Sequence, residues 1–273
     1  MVGNGYPVMY FHGTASSRLE VLLLRKLANS GLQLIGVDRP GYGLSTYTPR
    51  KSLKDFNTDL NFLADHLGLE KFAILGWSGG GVFELAYLTN YCSRVSRAVL
   101  IAAPSLPFDV STAHNNPFAK YLMKYPKVGE IAMRHLSRQL LKTQGDPEAF
   151  LSTPQGKQLL HGCSTTDLAF IKDSSWLRLM YQSMAEAFRQ KDGVKAVVEE
   201  HLLFAGHWTL PFSAVSSGKL WIWHGAKDKT CRVENAYAIC KLIPSATLEI
   251  FEGAGHFVMF ENLERLGKIL RGY

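Results

Sequence analysis

A parallel α/β sheet with helices on both faces, interrupted by one long helical insertion, is the fold this sequence predicts. Three observations lead there. Short apolar runs alternate with longer amphipathic ones, the pattern of successive strand–helix units. The alternation lapses between about residues 104 and 215, where helical patterns recur without a convincing strand. A serine flanked by glycines, in Gly76-Trp77-Ser78-Gly79-Gly80, stands where one apolar run meets the helical pattern after it.

The first strand is expected over residues 7–11, followed by a helix over 18–29, and the second over 33–37, followed by a helix over 53–67. Phe72-Ala73-Ile74-Leu75 has the length and the unbroken apolar character of a strand buried on both faces. After the serine, residues 81–88 carry apolar side chains at helical spacing. Further strands are expected over 98–102, 220–224 and 247–251, with a helix over 233–242. Inside the insertion the periodicity predicts helices over 118–125, 128–141, 168–190 and 194–204. Strand-like segments resume at Leu220, so an insertion explains the lapse better than a separate domain. The core is assigned to residues 1–103 and 216–273, and a helical cap to 104–215.

Composition narrows the function. With 273 residues, 47% hydrophobic and 19% charged, the chain can bury one large core and does not read as disordered. No apolar run approaches the roughly 20 residues of a membrane span. No basic segment followed by an apolar one opens the chain, so the expected location is cytoplasmic. Cys92, Cys163, Cys231 and Cys240 show neither paired nor metal-ligand spacing and are read as free thiols, with no metal site. The net charge of +7 comes from scattered rather than clustered Lys and Arg, which speaks against nucleic-acid binding and is read as a solubility feature.

The glycine-flanked serine is a weak signal alone. An ordinary glycine-rich connection and a phosphate-binding loop are the competing readings. No Lys-Ser or Lys-Thr follows Gly81, and G-x-G-x-x-G spacing is absent, which removes the two phosphate motifs. A serine in a sharp strand-to-helix turn has a strained backbone and an exposed hydroxyl. Gly76 and Gly80 fit there because side chains would collide across the turn. A nucleophilic serine also needs a base, an acid to orient that base, and donors for an oxyanion. The base candidate is His256 in Gly253-Ala254-Gly255-His256-Phe257, just after the last strand; the acid candidate is Asp228 in Trp223-His224-Gly225-Ala226-Lys227-Asp228, just after the strand before it. A solvated aspartate between two lysines and a surface histidine are the alternatives. Asp109 is a competing acid, ranked behind because it lies past Pro104 and Pro107. Backbone N–H groups of Gly79 and Thr14 are the oxyanion-hole candidates, with His12 and Gly13 in structural roles.

The motifs now assembled resemble the α/β-hydrolase superfamily over nearly the whole chain, in its lipase- and esterase-like branch with a helical cap. The residues that carry the resemblance are His12-Gly13-Thr14, the run from Val37 to Ser45, Gly76-Trp77-Ser78-Gly79-Gly80-Gly81, Trp223 to Asp228, and Gly253 to Phe257. The order Ser78, Asp228, His256 matches that of the superfamily's triads. Two departures stand out. Only residues 1–6 precede the first strand, so the antiparallel pair with which members usually open is expected to be missing. In the superfamily's strand order, residues 33–37 then become a sheet edge that is apolar and unprotected; the expectation is that a homodimer or other partner covers it or that the true start lies upstream. The second departure is Asp228-Lys229-Thr230-Cys231, where relatives often have Val-Pro after the acid.

The resemblance implies acyl transfer on a small-molecule ester or related acyl compound, without a metal or organic cofactor. Serine at position 78, rather than aspartate, argues against epoxide and haloalkane chemistry. Aromatic residues of the insertion (Phe108, Phe118, Tyr121, Phe150, Phe170, Trp176, Tyr181, Phe188 and Trp208) are candidates for an acyl pocket, although packing of the insertion is the favoured reading for each of them. Trp77 is read as a packing residue. Arg18 is read as a solvated helix-start residue, with an acidic-substrate contact as the alternative. A ligand-binding or receptor-like protein on the same fold is the second functional class.

Overall fold

A computed structural model describes residues 1–49, 52–105, 124–143, 146–206 and 209–272 of the chain. Six strands form one sheet in the order β2-β1-β3-β4-β5-β6, every adjacent pair parallel. They are β1 (Tyr6–Phe11), β2 (Leu32–Gly36), β3 (Phe72–Trp77), β4 (Val95–Ile101), β5 (Leu220–Gly225) and β6 (Thr247–Phe251). Each lies within a few residues of its predicted place. Strand β4 stops one residue early because Ala102 turns to a φ of +49°, outside the extended range.

The alternation of side chains along the strands sorts the core onto two faces. Met9, Phe11, Ile74, Leu100 and Ile222 pack beneath helices α1 (Leu53–His66), α2 (Gly80–Asn90) and a later helix over Glu234–Leu242. Val8, Tyr10, Leu75, Val99 and Trp223 face Leu24 and Leu27 and the C-terminal helix Leu263–Arg271. The predicted helix over 18–29 divides into a 3-10 turn, Arg18–Leu24, and a short α-helix, Arg25–Ala28.

The edge position expected for residues 33–37 is occupied by β2, but the edge is not bare. Val2 forms an isolated antiparallel bridge with Leu34, the two exchanging N–H···O bonds of 2.9 and 2.8 Å. The outward polar groups of Leu34 are therefore satisfied within the chain, a correction to the expectation of a fully exposed edge.

Between β4 and β5 the described residues hold helices and no strand. They include α3 (Pro126–Lys142), α4 (Thr165–Ile171), α5 (Ser174–Ala187) and α6 (Gly193–Phe204). The single helix expected over 168–190 is broken at Asp173, whose carboxylate accepts the N–H groups of Ser175 and Trp176 and so starts a new helix. The helix expected over 118–125 lies almost wholly outside the described residues. Met133, Leu140, Phe150, Tyr181 and Val197 build a separate apolar core within the insertion, joined by Tyr42 from the loop after β2.

Register sets up the site. Phe11 is level with Gly76, Trp77 with Ile101, Ile101 with Trp223, and Gly225 with Phe251. The loops that follow β1, β3, β5 and β6 therefore leave one end of the sheet together, the end where open α/β sheets bind ligands.

Candidate active site

The turn after β3 is tightly constrained. Ser78 has a φ of +54°, a conformation that costs a non-glycine residue on the order of 1–3 kcal/mol. Its N–H donates to the Ile101 carbonyl at 2.9 Å. A Cβ on Gly76 would lie 2.4 Å from Glu84 Oε2 and 3.0 Å from Gly81 Cα, and one on Gly80 only 2.1 Å from the Phe11 carbonyl oxygen. Strand and helix thus approach too closely for a side chain at either glycine, while Ser78 between them stays partly exposed.

Asp228 and His256 meet over the end of the sheet. His256 Nδ1 is 2.8 Å from Asp228 Oδ2, and Asp228 Oδ1 accepts the N–H groups of Thr230 and Cys231, both at 2.8 Å. His224 Nε2 lies 3.4 Å from the same carboxylate. Both Asp228 and His256 are buried, so neither is the solvated residue of the alternative readings. Burial disfavours the Asp228 charge, yet His256 and His224 together hold its carboxyl well below the usual carboxylate range. Burial likewise pulls His256 towards its neutral form, but Asp228 outweighs this, with Asp167 and Glu20 adding to it, and the imidazole titrates above its ordinary value. Asp109 lies outside the described residues.

Among the described residues Ser78 makes no hydrogen bond to His256. Its hydroxyl lies against the Cys231 thiol, which burial and the Asp228 charge push well above the usual range and Ser78 partly offsets. Catalytic hydrogen bonds without substrate are commonly long and tighten on binding. Trp77 packs under the imidazole, its ring 5.3 Å away and its Nε1 donating to the His256 carbonyl at 3.0 Å.

The loop after β1 is held from several sides. Glu20 Oε2 accepts the Gly13 N–H at 3.0 Å and the Tyr10 hydroxyl at 2.8 Å. His12 Nδ1 is 2.8 Å from the Gly13 carbonyl oxygen, and burial together with the Arg39 charge keeps this imidazole neutral. The N–H groups of Gly79 and Thr14 find no acceptor among the described residues. Thr14 packs so closely on Gly79 that a Cβ there would sit 2.0 Å from Thr14 Oγ1.

The inserted helices bear directly on these loops. Ser183 of α5 is fully buried and within 2.8 Å of Ser16 Oγ and 2.9 Å of Ser17 Oγ, and it accepts the Ser17 N–H at 3.1 Å. Asp167 of α4 accepts the Phe257 N–H at 2.9 Å, next to His256, while closing a capping box with Ser164. Glu200 of α6 pairs with Arg39 in the loop after β2. None of Glu20, Asp167, Ser183 and Glu200 was singled out from the sequence, and Arg39 only as part of the run from Val37 to Ser45. For Glu20 a signal existed, a lone carboxylate within the apolar run Leu19 to Leu24.

One expectation about substrate contacts is revised. Arg18 is part-exposed but not a free cation, since Nη1 pairs with Asp38 at 2.6 Å and with Glu186 at 2.9 Å. The described aromatics of the insertion are packed: Phe150, Tyr181 and Phe188 in its own core, Phe170 and Trp176 against each other, Phe257 and Phe260. Phe108, Phe118, Tyr121 and Trp208 lie outside the described residues. A surface depression lined by Leu19, Leu141, Tyr181 and Arg189 includes none of the candidate catalytic residues. Among the described residues no cluster of three or more His, Cys, Asp or Glu side chains is placed to hold a metal ion, and no helix is long and apolar enough to cross a membrane.

Comparison with known proteins agrees with this geometry at the level of fold. Residues 6–263 match the family described as alpha/beta hydrolase fold. An uncharacterized hydrolase, YcgS, of Bacillus subtilis is 30% identical over 38% of this chain, a match that spans 36% of that protein's length. The monoacylglycerol lipase ABHD6 of Bos taurus is 22% identical over 98% of this chain and 75% of its own. Among solved structures, a thermophilic esterase from Thermogutta terrifontis superimposes with a TM-score of 0.64 at 19% identity, covering 99% of this chain and 89% of that one.

Proposed function

This chain belongs to the alpha/beta hydrolase fold family, and from that premise we propose that it is a serine hydrolase, carboxylesterase-like, cleaving a small carboxylic ester or related acyl compound. The observation that carries the proposal is the convergence on one end of the sheet of three features. They are Ser78 at φ +54°, the 2.8 Å contact of His256 with Asp228, and the N–H groups of Gly79 and Thr14, which have no acceptor among the described residues. The lipase and esterase names of two similar proteins point to the same bond type.

In this reading Ser78 Oγ attacks the substrate carbonyl while His256 Nε2 takes its proton. Asp228, bound to Nδ1–H, fixes the tautomer that leaves Nε2 free to act as base and stabilises the imidazolium that forms. The negative charge developing on the carbonyl oxygen is received by the Gly79 and Thr14 N–H groups and the N-terminus of α2. His256 then gives its proton to the departing alkoxide, leaving an ester between Ser78 and the acyl group. Water, deprotonated by His256, attacks that ester and the same steps run in reverse. His12 and Gly13 shape the oxyanion loop, Gly76 and Gly80 permit the serine turn, and the described helices between β4 and β5 act as a cap.

Turnover of p-nitrophenyl esters by the wild type and Ser78→Ala tests the proposal. Loss of about 10⁶-fold in kcat is expected, as for other triad serines. Near wild-type turnover in the variant would sink it.

A further inference from the structure

The oxyanion loop is gripped by an ion pair that spans two parts of the chain. Arg39 Nε donates to Glu200 Oε2 at 2.6 Å and Arg39 Nη2 to Glu200 Oε1 at 3.1 Å. Arg39 Nη1 donates to the His12 carbonyl at 2.6 Å, and Nη2 also to the Gly13 carbonyl at 3.0 Å. Glu200 is equally committed, Oε1 accepting the Thr14 hydroxyl and Oε2 the Tyr42 hydroxyl, both at 2.9 Å. The guanidinium carbon lies 4.9 Å from the ring centres of both Tyr42 and Phe83. Each charged side chain is only 3% exposed.

Such a pair is a poor device for stability. Desolvation of two ions offsets most of their attraction, and apolar replacements of a buried pair are often neutral or stabilising. Its directional effect is larger. A trans peptide unit is planar, with its C=O and N–H pointing in opposite directions. The Gly13 carbonyl and the Thr14 N–H belong to one such unit, so the bond from Arg39 to the Gly13 oxygen turns the Thr14 N–H away from Arg39. The Thr14 side chain, tied to Glu200 on one side and packed on Gly79 on the other, fixes the same residue a second time.

We propose that Glu200, supplied by the inserted helices, is a positioning residue that acts through Arg39 and Thr14 to aim the Thr14 N–H into the oxyanion hole. The inference rests on the hydrolase reading given above and extends it to the role of the insertion. The insertion is then a fixed part of the catalytic frame, and Glu200 contributes without touching the substrate.

The test compares wild type with Arg39→Met/Glu200→Leu, which removes both charges together, and with Thr14→Val, which keeps the backbone and the ion pair. Amide hydrogen exchange is read over residues 9–18, and p-nitrophenyl acetate turnover is read as kcat and KM separately. The double variant is expected to exchange faster in that peptide and to lose about 10²-fold in kcat, the scale of one misplaced oxyanion donor, with KM changed by less than about threefold. Thr14→Val, for the same reason, is expected to lose about tenfold in kcat with KM held. A folded double variant with wild-type exchange over residues 9–18 overturns the proposal, as does wild-type kcat in both variants. If the double variant does not fold, unchanged kcat and exchange in Thr14→Val overturn it alone. Wild-type protein that hydrolyses no ester fails the hydrolase reading, and the exchange measurement still decides whether Glu200 fixes the loop.

Discussion

His256 Nδ1 lies 2.8 Å from Asp228 Oδ2, and the other oxygen of that carboxylate is anchored by two backbone N–H groups. The aspartate therefore cannot turn without breaking its own loop, and the imidazole it holds has one orientation. Asp228→Asn keeps the shape but offers an amide N–H or a weaker acceptor to Nδ1. In the proposed mechanism this favours the wrong tautomer, and kcat is expected to fall by about 10⁴-fold in a folded protein. Steady-state ester kinetics with a thermal melt of the same sample check both halves.

The pH dependence follows from the direction of the His256 shift. Burial opposes protonation, but the Asp228 charge outweighs it, so the imidazole takes up its proton at a higher pH than a free histidine. Only the neutral imidazole can act as base. Activity is therefore present above the His256 pKa and lost as pH falls through it, and the acid limb of kcat/KM is expected to lie above pH 6.5. In Asp228→Asn the largest upward influence is gone while burial remains, so the limb of the residual activity moves to lower pH. An acid limb at the same pH in both proteins contradicts this assignment.

Asp167 ties the insertion to the histidine loop, as Glu200 ties it to the loop after β1. Asp167→Ala leaves the Phe257 N–H without its acceptor and opens the capping box at Ser164. A stability loss of about 1 kcal/mol is expected from the lost helix cap and the part-buried donor left unsatisfied, with about a tenfold drop in kcat because His256 is the adjacent residue. Asp167→Asn keeps an oxygen for that N–H and should lose markedly less of both. Urea denaturation and ester kinetics on the two variants separate them.

Much of the frame was legible in the sequence because local pattern decides it. The unbroken apolar run Phe72 to Leu75 has the length and flanking glycine of a strand buried on both faces, and the glycines at 76 and 80 mark where strand and helix nearly touch. Asp228 and His256 could be brought together from sequence because both directly follow strands whose ends are level. What escaped was long-range pairing. Arg39 and Glu200 stand 161 residues apart, and nothing local distinguishes Glu200, which is buried against Arg39, from Glu199 beside it, which bonds Tyr47 at 2.5 Å. The break at Asp173 was missed for another reason. An aspartate inside a helical period reads as one more polar position until its side chain is seen capping the next helix. The bridge of Val2 to Leu34 lies in a segment too short to show a strand pattern.

The most direct measurement of the central claim is labelling with a fluorophosphonate, followed by peptide mass spectrometry to locate the adduct. An activated Ser78 predicts a single phosphonylated residue at position 78 in the wild type and no adduct in Ser78→Ala or His256→Ala. Folded wild-type protein that takes up no probe, or carries it on another residue, would contradict the assignment of Ser78 as the nucleophile.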